Sequence, residues 1–523
     1  MKSFINIFLI STLICGASSA YAQDSYDAQN FATSDLNGTA RFVGMGGALG
    51  ALGGDISVMS TNPAGTAIYR KSDAALSFSG LFTDKSAMDH GRARMSFDQA
   101  GVVIAFEMDE PSSKGLQFVN FGVNYQKHRN FFSNQKTDIQ NLSVFDQNGN
   151  PFNLSQSFQI ANLCNEAAYN NYWKGSLVDM AASSSQHGGI LNEFDETLVD
   201  GNGNPILDGQ GNQQIYRVYE GVSARNAYFE KNNRGGSMQA DVNLSFNISD
   251  QFFLGASLGV YDLTYSRESF YSETGVDGNS YNIDSWYKTE GDGFDIKLGF
   301  ICRPIEDSPF RFGINVHTPI WYRLTDLNGA TLTYKGQSTG YMASSYNAEY
   351  DYRYRTPWKF GFSLGHTIGK SFAIGAEYEV EDPSSCHYSS VDGGDLTYFR
   401  NTNRIIEETL HAQHTLKVGA EIKPIEEFSI RLGYNYISSP FKEGAFRTIG
   451  YDGIYTETDY TNWGAINRFT CGLGYRYKGG YIDLAYQYQA QKGDFFAFDD
   501  ENLKATKINN NRSQLMATLG FRF

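Results

Sequence analysis

The residues that first suggest chemistry form a glycine-rich run near the start of the chain, at residues 44–65. Gly44 and Gly46 have the spacing that begins a dinucleotide-binding fingerprint, in which a tight turn brings backbone N–H groups to a pyrophosphate. Leu49 stands where that fingerprint requires its third glycine, and no Gly-Lys-Ser/Thr follows as it does in a P-loop. A phosphate-binding loop is therefore disfavoured, and the run needs another explanation.

Two matches to the nucleophile motif G-x-S-x-G occur at residues 255–259 and 361–365. A serine nucleophile of this kind needs a strand-turn-helix context, whereas both matches lie inside segments that alternate like strands. His411 and His414 are three residues apart, so on a strand they point to opposite faces and do not ligate one metal ion. The sequence predicts no enzyme activity, no cofactor and no metal site.

The N-terminal residues and the composition indicate a membrane protein that crosses the bilayer with strands. Lys2, an apolar run and an Ala-Tyr-Ala sequence predict a signal peptide over residues 1–22. No later apolar run approaches the ~20 residues of a membrane helix. The chain has 34 Tyr, 38 Phe and 54 Gly but only 11 Pro, a balance typical of a transmembrane β-barrel whose strands alternate between apolar and polar residues.

The net charge and the cysteines limit which partners, metal sites and disulfides the chain can have. The formal net charge of −15 disfavours nucleic acid as a partner, because a nucleic-acid-binding surface is basic. The cysteines beyond the signal peptide are scattered singly, which indicates neither a zinc site nor a dense disulfide framework and leaves one disulfide open. They are Cys164, Cys302, Cys386 and Cys471.

The period of the apolar residues decides the architecture. In residues 236–248, every second residue from Met238 onward is apolar, including Val242 and Leu244, and the residues between them, including Asp241 and Asn243, are polar. This alternation continues over the length of a tilted membrane-crossing strand. Fourteen such strands are predicted, and their connections alternate strictly between short and long, as in an outer-membrane barrel. The predicted strands are 74–82, 98–107, 116–127, 236–248, 252–266, 291–303, 309–322, 355–368, 371–381, 411–422, 427–439, 466–478, 479–491 and 511–523.

This pattern predicts an all-β protein, a 14-stranded antiparallel transmembrane β-barrel over residues 74–523. The longest predicted loop covers residues 128–235, where Asp-Gly and Asn-Gly pairs at 200–212 predict tight turns. Residues 23–73 precede the first strand, so they lie either in the periplasm or in the barrel lumen. Their small residues favour a compact plug inside the barrel.

A stretch within this plug, residues 38–77, resembles the N-terminal hatch of the FadL-type outer-membrane transporters of long-chain fatty acids and other hydrophobic compounds. The matching features are the glycine-rich entry with Arg41, the acidic Asp55, and the triplet Asn62, Pro63 and Ala64 before the first strand. The resemblance implies a fourteen-stranded barrel with a lumenal hatch in the outer membrane of a Gram-negative bacterium. Asp55 and the triplet would then take part in gating.

The same resemblance implies passive uptake of a hydrophobic small molecule by loop capture, hatch movement and lateral exit through the barrel wall into the surrounding lipid. In the third predicted strand the alternation slips at Phe118–Val119, which predicts a β-bulge and a candidate lateral gate at Val119 and Asn120. The alternative is that the strand begins at Val119. The chain ends in Phe523 on the apolar face of the last strand, which resembles the signal read by the barrel assembly machinery.

Four cations on the predicted lumen face are candidate contacts for a ligand carboxylate: Arg311, Lys359, Arg431 and Arg476. The alternative is that these charges pair with acidic groups in a polar interior. Other functions also stay open at this point. The chain could be a non-transporting member of the family that serves as a scaffold or shuttle in protein secretion, a haemin-type receptor, or a general porin.

Overall fold

The computed structural model describes residues 24–83, 93–108, 115–140, 142–145, 151–153, 155–169, 181, 190–275, 280–334, 337–341, 350–394, 396–445, 460–496 and 503–523. The predicted signal peptide lies outside the described residues. Among the helices in those ranges, none is both long and apolar enough to span a membrane.

Fourteen antiparallel strands pair side by side into a closed ring, and the last strand pairs with the first over eleven residue pairs from Asp73↔Arg522 to Thr83↔Arg512. Closure leaves no unpaired sheet edge in the ring, which hydrocarbon would not tolerate. The ring strands are β1 (Asp73–Thr83), β2 (Ala93–Glu107), β3 (Leu116–Asn130), β4 (Ala224–Ile248), β5 (Phe252–Gly275), β6 (Ser280–Cys302), β7 (Arg311–His317), β8 (Lys359–Ile368), β9 (Phe372–Glu381), β10 (Gln413–Ile425), β11 (Phe428–Ile437), β12 (Tyr460–Tyr477), β13 (Gly480–Phe496) and β14 (Arg512–Arg522).

The predicted fold class is confirmed, and each of the fourteen predicted strands corresponds to a ring strand. The predicted alternation is also present in space. Val242 and Leu244 of β4 point outward and are exposed, whereas Asp241 and Asn243 point inward and are fully buried. The wall therefore has an apolar outer face and a polar inner face, as a membrane-spanning barrel requires.

Two predicted strands are each interrupted at a proline. β7 continues after a three-residue gap as the strand Trp321–Tyr334, and the strand Tyr350–Arg355 leads after a similar gap into β8. Pro319 and Pro357 lie in these gaps. Proline has no N–H to donate to a sheet ladder, so each ladder stops and resumes.

The N-terminal segment, residues 24–72, lies against the inward faces of the ring strands. It contains helices α1 (Ser25–Ala32) and α2 (Ala40–Gly44) and two 3₁₀ turns, Ile56–Ser60 and Pro63–Ile68. Its own apolar side chains form a small buried cluster: Leu36, Phe42, Met45, Leu49, Leu52 and Val58. With so small a core, this segment depends on the barrel wall for its structure.

Part of the region predicted as the longest loop extends the wall. β4 begins at Ala224 instead of residue 236, and the strand Ser133–Gln140 pairs with it. Beyond the bilayer the outer face of a strand need not be apolar, so alternation no longer marks the strand. The rest of this region includes helix α3 (Gln156–Tyr169) and the short strands Ser143–Phe145, Pro151–Asn153, Leu191–Thr197 and Ile215–Gly221.

The last two of these strands form a hairpin whose tip contains the predicted tight turns. Asp200 accepts hydrogen bonds from the backbone N–H groups of Asn202 and Asn204, and Asp208 does the same for Gln210 and Asn212. These bonds lower the pKa of both aspartates, with Asn204 and Asn212 as the leading donors. The remaining elements are helix α4 (Thr397–Thr409), the turn Pro383–Ser385, and the strands Gln337–Tyr341, His387–Ser390 and Thr506–Asn509.

Candidate functional site in the barrel lumen

The predicted hatch residues define the turns of the N-terminal segment. Asp55 accepts hydrogen bonds from the Ser57 N–H at 3.0 Å and the Thr39 hydroxyl at 2.8 Å. Asn62 accepts one from the Ala64 N–H at 3.2 Å. Pro63 begins that 3₁₀ turn, a position where its missing N–H has no intrahelical partner to lose. These contacts give the four residues a structural role, and gating stays a prediction.

The glycine-rich run lies where the backbone of the N-terminal segment touches the backbone of the wall. Gly46 and Gly47 have φ values of +64° and +81°, which only glycine adopts without strain. A Cβ on Gly46 would lie 2.9 Å from the Tyr434 backbone nitrogen, and a Cβ on Gly419 would overlap the carbonyl oxygen of Met45. Glycine is thus needed on both surfaces because two backbones meet there.

The G-x-S-x-G matches have the same explanation. A Cβ on Gly255 would overlap the backbone of Pro63, and one on Gly365 would lie 3.0 Å from the Leu52 side chain. Both motifs are continuous strand, in β5 and β8, as predicted. Gly255 and Gly365 make room for the N-terminal segment, whereas Gly259 and Gly361 face side chains of the wall. The strand-turn-helix context of a nucleophile is absent at both described motifs.

One charge network ties the N-terminal segment to the wall. Arg41 of α2 donates from Nε to Glu421 at 3.1 Å and lies 3.8 Å from Asp55. Glu421 also accepts from Arg431 at 2.7 Å, and Arg431 donates in turn to Asp483. The side chains of this network are largely buried. In such surroundings each charge needs its partners, because an unpaired buried charge is costly.

Of the four cations predicted to contact a ligand, two have a carboxylate partner and two, among the described residues, do not. Lys359 lies 3.2 Å from Glu381, and Arg431 is held by the two carboxylates just described, so these two have ion-pair partners. Arg311 donates to the Leu52 carbonyl at 3.1 Å, and the Arg476 guanidinium lies 5.7 Å from the centre of the Tyr481 ring. Among the described residues, neither Arg311 nor Arg476 lies within 4 Å of a carboxylate oxygen.

The predicted bulge at Phe118–Val119 is wrong by about one residue. β3 pairs with β2 and β4 in unbroken register through Val119 and Asn120, and the register with β4 shifts instead at Gln117 and near His128. The extra residue at Gln117 changes the phase of alternation, which is the signal seen in the sequence. Asn120 is buried and donates to the Thr66 and Tyr69 carbonyls of the N-terminal segment. The wall is therefore closed at the predicted gate.

The histidines and cysteines form no metal site in the described part of the chain. His411 contacts the carbonyl of its neighbour Ala412, and His414 contacts the Tyr378 hydroxyl at 2.7 Å. The cysteines left open by the sequence are free thiols: Cys164, Cys302, Cys386 and Cys471.

The half of the lumen nearer the long loops contains a feature that the sequence analysis missed. Buried aromatic side chains of β5, β6 and the strands beyond the proline gaps surround α1, and we name them the aromatic compartment. Phe31 of α1 lies edge-on to Phe131, Tyr265 and Tyr354, with ring centroids 5.6–6.2 Å apart. The compartment comprises Phe131, Tyr261, Tyr265, Tyr287, Tyr322, Tyr352, Tyr354, Tyr388, Phe399 and Phe441.

A second missed feature lies just beyond α1, where three arginines converge on Asp35. Arg512, Arg468 and Arg129 have guanidinium nitrogens 2.8, 3.3 and 3.8 Å from the same Asp35 oxygen. We name these three residues the arginine cluster. Burial would raise the pKa of Asp35, but the three guanidinium groups outweigh burial and hold that pKa well below its usual range. Asp35 and Arg512 are 477 positions apart, so no local spacing signals the cluster.

No protein-family model matches the chain, and no curated protein sequence matches it. Among solved structures, the chain is similar to a Pseudomonas aeruginosa FadL homologue, with 14% identity over 94% of this chain and 98% of that one and a TM-score of 0.46. It is similar to the P. putida toluene transporter TodX, with 12% identity over 94% and 99% and a TM-score of 0.45. It is also similar to the monoaromatic hydrocarbon channel CymD, with 10% identity over 93% and 98% and a TM-score of 0.48.

These similarities span nearly the whole of each chain. At such identities and TM-scores they assign neither a ligand nor a mechanism.

Proposed function

We propose that this chain is an outer-membrane channel of a Gram-negative bacterium that takes up hydrophobic small molecules passively, with the N-terminal segment as its hatch. Long-chain fatty acids and aromatic hydrocarbons are the two ligand classes to test. An apolar solute crosses an open aqueous pore poorly, so a barrel serving it needs an apolar binding region reached before the polar lumen.

The aromatic compartment is the observation that carries this proposal. Its rings are buried in the half of the lumen that faces the long loops, and a helix of the chain itself fills it. The Tyr354 hydroxyl donates to the Ala28 carbonyl of that helix, and the Tyr388 hydroxyl donates to the carbonyl of Asp24, which caps it. Withdrawal of α1 would expose large apolar ring faces, each able to bury an apolar solute.

Passage beyond the compartment requires the N-terminal segment to move. Below α1 this segment crosses the lumen and is held against the wall by the glycine contacts and by the Arg41–Glu421 pair. The proposal therefore includes hatch movement, in which Asp55, Asn62, Pro63 and Ala64 would keep the turns intact as the segment shifts. It includes no exit at Val119 and Asn120, where the wall is closed.

The test is uptake of radiolabelled palmitate and toluene by Gram-negative cells that lack their own hydrophobic channel. Such cells retain the lipopolysaccharide barrier that a liposome lacks. Cells with the wild-type protein should take up at least one probe faster than cells without it, and Tyr354→Ala should reduce that gain. Tyr378→Ala is the matched control, because this tyrosine faces outward with 44% of its surface exposed.

Two outcomes would contradict the proposal. Equal uptake of both probes with and without the protein would exclude a hydrophobic channel. Rapid flux of small sugars in place of the apolar probes would instead identify a general porin.

A further inference from the structure

The arginine cluster carries more positive charge than the chain supplies to balance it. Asp35 is the only carboxylate within 4 Å of Arg129, Arg468 and Arg512 among the described residues. Its second oxygen accepts the Asn130 N–H at 2.9 Å. The local sum is therefore three guanidinium charges and one carboxylate charge, which leaves two positive charges inside the barrel.

The other hydrogen-bond partners of the cluster do not offset this excess, because all of them are neutral. They are Asn30 for Arg129, Gln489 and Asn435 for Arg468, and Gln489 and the Asn130 carbonyl for Arg512. The Nε of Arg129 is buried and donates to no described group. An oxyanion would satisfy the charge and this donor together.

The cluster also borders open space. Arg129, Arg512 and Asp35 line a lumenal pocket that continues past Arg267 and Lys231 beside α1. Asp27 lines the same pocket and pairs with Arg267 at 3.0 Å, so the uncompensated charge at the pocket is that of the arginine cluster. Entry into the cluster itself requires the Asp35 carboxylate to leave.

We propose that the arginine cluster is a binding site for a dianionic oxyanion, the phosphate group of a solute, and that Asp35 occupies this site in the solute's absence. A phosphate monoester carries close to two negative charges at neutral pH and three acceptor oxygens, and guanidinium groups bind it bidentately. The charge and the number of acceptor oxygens of a phosphate monoester match three arginines better than those of a single carboxylate do. Its entry would displace Asp35 and release the chain that links α1 to α2.

The inference goes beyond the proposed function, and its test measures binding alone, so that a failure of hydrophobic uptake would leave it standing. The probes are phenyl phosphate, benzoate and phenol, which share a ring and differ in charge. Each is titrated calorimetrically into the full-length barrel in detergent at pH 7.5 and constant ionic strength. Asp35→Asn removes the competing negative charge from the site, and this variant should bind phenyl phosphate at least about tenfold more tightly than the wild type, the worth of one charge-assisted hydrogen bond.

The matched control is Asp483→Asn, which removes another buried lumenal aspartate that is bonded to an arginine. That arginine, Arg431, keeps Glu421 as its partner, so no anion site should appear. The double variant Asp35→Asn/Arg512→Gln should lose the gain. Phenol should bind all four proteins equally.

Two results would overturn the proposal. One is a phenyl phosphate affinity for Asp35→Asn no higher than for Asp483→Asn. The other is an equal gain for benzoate, which would show a site for a single negative charge. Circular dichroism and heat-modifiable gel migration establish that each variant is folded.

A measurement on the wild type covers the case in which Asp35→Asn does not fold. Inorganic phosphate, compared with sodium chloride at equal ionic strength, should speed amide hydrogen exchange in residues 24–38 and leave exchange in β10 unchanged. An identical exchange pattern in the two salts would contradict displacement of Asp35.

Discussion

Asp55 shows how a single buried carboxylate organises the middle of the N-terminal segment. It accepts hydrogen bonds from a hydroxyl and a backbone N–H, and it lies near Arg41, which reaches across to the wall. A buried group with several partners is worth more than an exposed one, because its loss leaves those partners unsatisfied. At the residue scale the segment is thus held by a few well-placed polar contacts.

Replacement of Asp55 by alanine should lower the free energy of unfolding by about 1–3 kcal/mol, since Thr39, Ser57 and Arg41 would lose an acceptor. Urea unfolding in lipid vesicles measures this change. Asp200→Ala removes an aspartate that also accepts two backbone N–H bonds but lies on the exposed hairpin tip. Its effect on the free energy of unfolding should be much smaller than that of Asp55→Ala. Equal losses for the two variants would contradict a special role for Asp55.

Asp35 yields a prediction about pH. Its pKa is lowered in the folded protein, so its ion pairs contribute full stability above the ordinary aspartate pKa of about 3.9 and lose it only as the pH falls further. Residues 24–38 should therefore be as protected from proteolysis at pH 4.5 as at pH 7. Cleavage of this stretch at pH 4.5, with the barrel intact, would show that Asp35 is not held as described.

At the scale of elements, the N-terminal segment and the wall fit together through paired glycines. Gly419 of β10 faces the Met45 carbonyl, and Gly433 of β11 faces the backbone of Met45 and Gly46. Around these two glycines the strands are paired on both sides without a register shift. Inserted atoms should therefore displace the N-terminal segment and not the strands. Because the contact is close-packed, even one added methyl group displaces neighbouring atoms.

Gly419→Ala should displace the N-terminal segment at a cost of about 1–3 kcal/mol, the usual range for overpacking. Limited proteolysis should then cut residues 24–72 while the barrel keeps its heat-modifiable migration. Gly80→Ala is the control, because a Cβ there would make only ordinary contact with Phe82 at 3.5 Å. A wild-type cleavage pattern for Gly419→Ala would mean that the segment adjusts without moving.

At the scale of the whole molecule, ring closure between β1 and β14 makes the wall one continuous sheet. Phe523 follows β14 and is 62% exposed, and its N–H donates to the Ser72 carbonyl at 3.0 Å. Its side chain adds little to the stability of the closed ring. Recognition of Phe523 by the barrel assembly machinery stays a prediction.

Phe523→Ala should reduce the amount of barrel assembled in cells several-fold and leave the stability of the refolded protein within about 0.5 kcal/mol of wild type. Quantitative blotting of membrane fractions measures the first effect, and urea unfolding in vesicles measures the second. Phe521→Ala is the comparison, since this outward-facing residue lies within β14. Normal assembly of Phe523→Ala would contradict the predicted signal.

The sequence alone determined the architecture, because each strand shows its alternation locally and short and long connections repeat without exception. It located all fourteen strands, yet it missed the interruptions at Pro319 and Pro357 and placed the β3 bulge one residue late. Alternation reports which face a residue takes, whereas the ladder partner that sets the register lies elsewhere in the chain.

Only the tertiary structure decided what lies inside the barrel. The aromatic compartment and the arginine cluster draw on strands that are far apart in sequence, and their tyrosines and arginines look locally like ordinary inward-facing positions. The sequence likewise predicted a plug but did not show that Phe31 would occupy a ring of aromatics or that Asp35 would face three guanidinium groups. Closing the sheet brings these side chains together, since the contacts are set by position around the ring and not by spacing along the chain.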